Sequence, residues 1–535
     1  MRGLMMDTPL LISSLLEHAA TVFGSTEIVT RTVEGPIHRY TWVDARLRAK
    51  QLAQALHALG LRGDDRVATI AWNTHRHLEL YYGVSCTGAV IHTVNPRLHP
   101  SQLTYVLNHA EDRVLCVDLS FLPLAEAVWD QLRTVKHLVV MTDRANMPRT
   151  KIPGALCYEE LLAAQDGDLA WPVLDENDAA GICYTSGTTG NPKGVVYSHR
   201  STVLHAYGAA LPSALPVPPG DALLPVVPMF HVNAWGIPYT AAMCGYKLVM
   251  PGPRLDGPGL TELMNLEGVT IYCGVPTVHL GLLAHWDESG AGVPTLKRVT
   301  TGGAAPGRSM IQRYRTRGID VVHGWGMTET SPIGTICKVT AADADLSDDE
   351  QVELLARQGR PLPGIELRVV DPDGADLPRD GKSFGELHIR GPWVCSAYLG
   401  QAPGSALRDG WFPTGDVAVL HPNGVMQITD RVKDLIKSGG EWISSIDLED
   451  AAGRHPEVAM AAVIGIPHET WGERPLLIVQ AKPDASPTKE DILEFLEELV
   501  AKLWLPDDVV FVDALPIGAT GKVQKSKLRE SYGGV

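Results

Sequence analysis

Two apolar runs joined by a glycine-rich turn constrain this chain more than any other stretch. Ala180-Gly181-Ile182-Cys183-Tyr184 leads into Thr185-Ser186-Gly187-Thr188-Thr189-Gly190-Asn191-Pro192-Lys193-Gly194, and Val195-Val196-Tyr197 leads out. From Tyr184 to Gly194 the turn holds three glycines, four aliphatic hydroxyls and one lysine. Glycines let the backbone turn sharply and come close to a guest. Backbone N–H groups, hydroxyls and a lysine together cradle an anion, and the guest that suits so many donors is a polyphosphate. A flexible linker has similar composition. Flanking apolar runs and the Pro192-Lys193-Gly194 ending argue against that. The spacing is not that of a Walker loop either, because Gly194 stands where Ser or Thr would hold magnesium.

Around this turn, short apolar strands alternate with helical stretches. Arg66–Ile70, Ala89–Val94, Val114–Val117 and Leu138–Met141 read as strands, as do Leu248–Met250 and Gly268–Tyr272. That alternation predicts βαβ units and parallel sheets. Residues 10–60 read as helix, β-hairpin, helix, the second helix starting at Thr41 with Asp44 three residues later as an N-cap pair. From about residue 359 the strands shorten and Gly, Pro and Asp become frequent, which predicts a more antiparallel, barrel-like subdomain. After Asp430 a separate α+β unit of about 100 residues follows, in the ordinary domain size range.

With 535 residues the chain exceeds a single core, which stops growing at about 250–300 residues. The net charge of −16 argues against a nucleic-acid partner, whose binders carry basic patches. The eight cysteines form no C-x-x-C pair, so they suggest neither zinc nor a disulfide framework and suit a reducing cytoplasm. No apolar run reaches about 18 residues, so no integral membrane segment is expected. The N-terminus lacks the form of a signal peptide. No H-E-x-x-H, G-x-S-x-G or Rossmann fingerprint occurs where its chemistry needs it.

Five further stretches carry candidate chemistry. They are Met229-Phe230-His231-Val232-Asn233-Ala234-Trp235-Gly236, Thr300-Thr301-Gly302-Gly303-Ala304-Ala305-Pro306, His323-Gly324-Trp325-Gly326-Met327-Thr328-Glu329-Thr330, Trp411-Phe412-Pro413-Thr414-Gly415-Asp416, and Leu515-Pro516-Ile517-Gly518-Ala519-Thr520-Gly521-Lys522. Taken singly, each has an ordinary structural reading as a core histidine or tryptophan, a tight turn, a capped helix start or a solvated tail. Taken in this order with the opening loop, they resemble the adenylate-forming superfamily of acyl-CoA synthetases, peptide-synthetase adenylation domains and luciferases. The resemblance covers residues 184–527 by motif; the first 180 match by texture.

The resemblance implies an α/β fold: a large N-terminal domain over residues 1–430, with two α/β subdomains and the β-rich one, and a small mobile C-terminal lid over 431–535. Thr185, Ser186, Gly187, Thr188, Thr189, Gly190 and Lys193 are expected to grip ATP. Gly303, Ala304, Ala305, His323, Gly324, Trp325, Gly326, Met327, Thr328, Asp416, Ile428 and Arg431 are expected to bind the nucleotide. Trp325 can stack on adenine, Thr328 can bond the α-phosphate, and the Asp416 carboxylate can accept both ribose hydroxyls. Glu329, with Thr185, is the expected magnesium site, since magnesium takes hard oxygens from one or two carboxylates plus phosphates. His231, Trp235, Gly236, Gly302, Met327 and Pro332 line the implied acyl pocket. The implied hinge and coenzyme A face comprise Lys433, Asp434, Lys437, Gly439, Gly440, Glu441, Trp442 and Glu473, and whether Trp442 and Glu473 meet coenzyme A or AMP stays open. Lys522 is the implied catalytic lysine, with His231 beside the carboxylate, while Lys525 and Lys527 read as solvated.

The implied reaction joins a carboxylic acid to coenzyme A through acyl-AMP, with ATP as cosubstrate. Amino-acid-activating relatives carry an aspartate at the His231 position, so a simple acid is favoured here. A short- to medium-chain fatty acid or 3-(methylthio)propionate fits. An adenylation enzyme serving a carrier protein, a luciferase-like oxygenase and a non-catalytic acyl or nucleotide sensor are the alternatives. Monomer or homodimer is left open.

Overall fold

The computed structural model describes the chain except residues 2, 186–190, 432, 439–440, 484, 519–522 and 534–535; for Glu441 and Trp442 it describes the backbone. The chain forms two compact units. One comprises Met1–Ala356, Pro361–Ile365 and Arg390–Phe412; the other comprises Arg357–Arg360, Glu366–Ile389 and Pro413–Val535.

The first unit carries strands β1 (Glu27–Arg31), β2 (Ile37–Thr41), β3 (Arg66–Ile70), β4 (Val90–Thr93), β5 (Asp112–Val117), β6 (His137–Val140), β7 (Leu156–Cys157), β8 (Ala179–Thr185) and β9 (Lys193–Ser198). It continues with β10 (Ala222–Pro225), β11 (Lys247–Met250), β12 (Ile271–Gly274), β13 (Arg298–Gly302), β14 (Asp320–Gly326) and β15 (Ile333–Cys337). One sheet runs in the order β7-β6-β5-β3-β4-β8-β9. Its strands are parallel as far as β8, and β9 returns antiparallel. A second sheet runs through β15-β14-β13-β12-β10-β11-β1-β2. It is parallel between β14 and β1 and antiparallel at both ends. Helices cover the sheets, so β4 and β10 are buried along their whole length and read as continuous apolar runs.

The expected helix start at Thr41 is present as a reciprocal cap, with the Asp44 N–H donating to Thr41 Oγ1 and the Thr41 N–H to Asp44 Oδ2. The strand expected from Gly268 begins later, at Ile271. Gly268 instead ends helix Gly257–Glu267 in a left-handed conformation, φ 62°, the usual way a glycine stops a helix.

In the second unit, strands Glu366–Val370, Phe384–Arg390, Phe412–Leu420 and Met426–Arg431 form a four-stranded sheet in chain order, the antiparallel subdomain expected. A five-stranded sheet follows, with Gly472–Ala481 at its centre, Val458–His468 along one edge, and helices Ser445–Ala452, Lys489–Glu497 and Lys525–Tyr532 beside it. Lys433 lies in the turn joining the two sheets. The last helix packs Leu528 against Ala462 and Ile464, and that packing corrects the reading of Lys525 as solvated. Lys525 Nζ sits 2.7 Å from Glu449 Oε1 and donates to Ser445 Oγ at 2.6 Å, with 13% of its side chain exposed. Lys527 on the outer face is exposed.

Candidate functional site

The glycine-rich turn is held at its stems. Thr185, the last residue of β8, pairs with Lys193, the first of β9. Ser186, Gly187, Thr188, Thr189 and Gly190 between them lie outside the described residues. Lys193 Nζ lies 4.9 Å from the centre of the Tyr398 ring. Tyr398 Oη in turn donates to Glu329 Oε1 at 2.8 Å. One tyrosine thus connects the candidate phosphate lysine to the candidate magnesium carboxylate. The loop around Glu329 is pinned from two sides: Tyr197 Oη donates to Thr328 O at 2.8 Å, and the Cys395 N–H donates to Glu329 O at 2.8 Å. Burial, with the Glu329 charge next to it, pushes the Tyr398 phenol above its usual range, and the same causes push the Cys395 thiol up to about 12. Tyr398 is therefore a fixed donor. Thr328 and Glu329 are buried, each 6% exposed.

On the acyl side the backbone takes an unusual form. Val232, Asn233, Ala234, Trp235 and Gly236 have φ of 47°, 53°, 47°, 59° and 77°, a left-handed turn in which only the last residue is glycine. Each non-glycine residue there costs about 1–2 kcal/mol, so neighbouring contacts must hold the turn. Tyr81 Oη donates to Asn233 Oδ1 at 3.2 Å and lies 2.5 Å from Met229 O. A Cβ on Gly236 would come 2.8 Å from His205 Nδ1. Burial pushes His205 down to about 3, so its ring is neutral, and Nε2 accepts the Ile333 N–H at 3.1 Å. His205 thereby ties the turn to the strand that follows Pro332.

The turn presents Trp235 to Gly302. A Cβ on Gly302 would meet the indole at 3.2 Å and Gly324 O at 2.6 Å. Gly302 pairs with Gly324 and Thr301 with His323 across β13 and β14, and the Met327 N–H donates to Pro332 O at 3.2 Å. Trp235, Gly302, Met327 and Pro332 thus stand near one end of this sheet, with half-buried Trp325 at a bulge in β14, while His231 precedes the left-handed turn and Gly236 ends it. Gly303, at φ 81°, turns the chain out to exposed Ala304 and Ala305. Beneath Trp235 lies a cavity of about 20 Å³, whose walls include Leu223, Tyr246, Cys273, Arg298 and Thr300.

In the second unit, Arg431 Nε lies 2.7 Å from Asp416 Oδ1, and the two residues face each other in the ladder. Asp416 is 3% exposed. The Ile428 N–H donates to Gln358 Oε1 at 2.6 Å. Lys433 is exposed, Asp434 pairs with Arg529, and the Lys437 N–H donates to Glu473 Oε2 at 2.9 Å. Gly439, Gly440 and Lys522 lie outside the described residues, as do the side chains of Glu441 and Trp442. Sequence reasoning did not single out Tyr398, His205, Arg298 or the Asn233 contact. Their partners are distant in the chain, and only the aromatic-then-glycine pattern Tyr398-Leu399-Gly400 offered a signal.

The AMP-binding enzyme family matches residues 16–399, and the AMP-binding enzyme C-terminal domain matches residues 447–522. The chain belongs to the AMP-binding enzyme family. Within it, the chain is 51% identical over 533 residues to a 3-methylmercaptopropionyl-CoA ligase of Ruegeria lacuscaerulensis, covering 99% of both chains. It is 50% identical over 536 residues to a medium-chain-fatty-acid–CoA ligase of Ectopseudomonas oleovorans, covering 100% of this chain and 98% of that one. A solved anthranilate CoA ligase in complex with anthranoyl-AMP superposes with a TM-score of 0.86 at 25% identity, covering 98% of both chains. This AMP-binding enzyme is an acid–thiol ligase of the AMP-forming type. Among the described residues no helix is long and apolar enough to cross a membrane.

Proposed function

We propose that this enzyme activates a short- to medium-chain fatty acid or 3-(methylthio)propionate and hands it to coenzyme A. A carboxylate oxygen attacks the α-phosphorus of ATP; the bond from that phosphorus to the bridging oxygen breaks, and pyrophosphate leaves with the electron pair. The coenzyme A sulfur, having lost its proton, then attacks the acyl carbon, and the carbon–oxygen bond to AMP breaks. Such chemistry depends mainly on positioning and charge stabilisation.

The observation that supports this reading is that one tyrosine, Tyr398, contacts both Lys193, the lysine proposed to hold the β- and γ-phosphates, and the buried carboxylate of Glu329. One carboxylate fits magnesium, which takes most of its remaining oxygens from phosphates and water. Glu329, with the Thr185 hydroxyl, would hold that ion, which supplies charge neutralisation at the phosphates. Asp416 accepts the ribose hydroxyls, Arg431 orients Asp416, and Trp325 stacks on adenine. His231 lies beside the substrate carboxylate, and Trp235 lines its tail. Lys522 neutralises the charge that develops between carboxylate and α-phosphate. The cut at residues 430/431, with Lys433 as its hinge, lets the C-terminal part exchange Lys522 for the coenzyme A face carried by Lys437, Gly439, Gly440, Glu441, Trp442 and Glu473. The cysteine pattern and acidic balance suit a cytoplasmic enzyme.

Pyrophosphate release across a panel of acids, with and without coenzyme A, tests the reading. Release with short and medium acids in the absence of coenzyme A, and acyl-CoA on its addition, is expected. Trp235→Ala should change acid preference more than the KM for ATP. Acyl transfer only to a carrier protein, or no turnover with any acid, would overturn it.

A further inference from the structure

The cavity beneath Trp235 is apolar on most sides, yet its floor is not. Strand β13 alternates its side chains, so Arg298, Thr300 and Gly302 share one face. Gly302 is where the indole of Trp235 leans, and Arg298 and Thr300 both line the cavity. Along that face the polar groups follow one another away from the indole, about 6–7 Å per pair of residues.

Arg298 is unusually provided for. One of its terminal nitrogens donates to Pro216 O, while its Nε is buried and has no hydrogen-bond partner. Lys338 donates to Pro212 O, and its ammonium is held below its usual range by burial and by the Arg298 charge nearby. Among the described residues no carboxylate pairs with either cation. A buried donor without an acceptor is costly to leave so. It gains nothing from a plain alkyl tail.

We infer that Arg298 reads the far end of the acyl group, selecting short acids whose tail carries a hydrogen-bond acceptor in place of a methylene. This deepens, and rests on, the proposal that the enzyme activates short acids. A cavity of about 20 Å³ takes roughly one water-sized guest, so a short tail fits it far better than a long one. An apolar pocket by itself separates such near-isosteres poorly, whereas a donor placed to meet an acceptor rejects the analogue that lacks one. Arg298 is therefore a specificity residue, and Thr300 supplies a second polar group along the same face.

Three acids of matched length provide the test: pentanoate, 3-(methylthio)propionate and 4-oxopentanoate. They differ in a methylene, a thioether sulfur or a carbonyl at one position. Pyrophosphate release is measured for each as kcat/KM, in the unaltered enzyme, in Arg298→Met and in Arg298→Lys. The unaltered enzyme is expected to favour 4-oxopentanoate over pentanoate by roughly threefold to tenfold, the factor one net hydrogen bond supplies, and 3-(methylthio)propionate, whose sulfur is a weaker acceptor, by a smaller factor above one. Arg298→Met should bring both ratios to about one, whatever its absolute rate on pentanoate, and an unchanged denaturation midpoint reports a folded site. Should Arg298→Met lose pentanoate activity as well, Arg298→Lys decides: it keeps a cation but lacks Nε, and reduced ratios with pentanoate activity retained are expected. Ratios of one in the unaltered enzyme, or ratios unchanged in the variants, overturn the role of Arg298 while leaving the short-acid reading intact. No release with any of the three acids, alongside release with longer ones, overturns the short-acid reading and this inference with it.

Discussion

Ala234 sits at φ 47° between Asn233 and Trp235, which share its left-handed backbone. Of the four non-glycine residues in this turn, only asparagine visits that region readily, so nothing in the local sequence announces it. The tertiary contacts of Tyr81 and His205 impose it. Ala234→Gly should relieve the strain at a smaller entropic cost, raising the denaturation midpoint by the equivalent of up to about 1 kcal/mol. An unchanged or lowered midpoint would show that the strain is small. Tyr398 is a second residue that the sequence did not single out, since its partner Glu329 lies 69 positions away. It acts on the proposed magnesium ligand by holding its carboxylate. Tyr398→Phe should raise the magnesium concentration for half-maximal activity by about tenfold, the lower end for loss of such an outer partner. An unchanged magnesium curve would remove Tyr398 from that role. By contrast, Glu329 and Asp416 could be singled out as candidates because each stands in a short contiguous motif.

Elements were read more securely than their junctions. The helix starting at Thr41 announces itself through a local cap, whereas Gly268 was placed in a strand although it ends a helix. Both readings are physically open to a glycine followed by apolar residues, and helix packing decides. The carboxyl ends of β3 and β5 carry a feature beyond sequence reading. Asp118, just after β5, is buried and accepts the Trp72 N–H at 2.7 Å, and burial pushes its carboxyl up to about 7. In the unfolded chain the same group titrates near 4. Between those values the unfolded state has released its proton and the folded state has not. Asp118 therefore lowers stability as pH rises from about 4 to about 7, by up to about 4 kcal/mol, and adds no further slope above that. Asp118→Asn keeps an acceptor for Trp72 without the titration. It should raise the denaturation midpoint at pH 8 and leave it nearly unchanged at pH 4.5; equal effects at both values would contradict the assignment.

At the scale of the whole molecule, the α/β architecture was legible from the alternation of short apolar strands with helical stretches and from the resemblance that the order of the motifs carries. The division of the chain was less legible. The strands between Glu366 and Ile389 group with the C-terminal part and share a sheet with Met426–Arg431, a pairing that no local pattern shows. Lys522 is proposed to act only in the first step, and the C-terminal part to rearrange before the second. Lys522→Ala should slow pyrophosphate release by about 10²–10³, the usual cost of one preorganised charge-stabilising group. It should spare thioester formation from supplied acyl-adenylate. Equal loss of both half-reactions would contradict the division of labour.

The central claim is that the acid's own carboxylate oxygen attacks the α-phosphorus. Mass spectrometry of the products formed from 3-(methylthio)propionate labelled with oxygen-18 in its carboxylate, with ATP, magnesium and coenzyme A, tests it most directly. The account predicts a single labelled oxygen in AMP and none in pyrophosphate. Label in inorganic phosphate accompanied by ADP, or unlabelled AMP beside acyl-CoA, would contradict it.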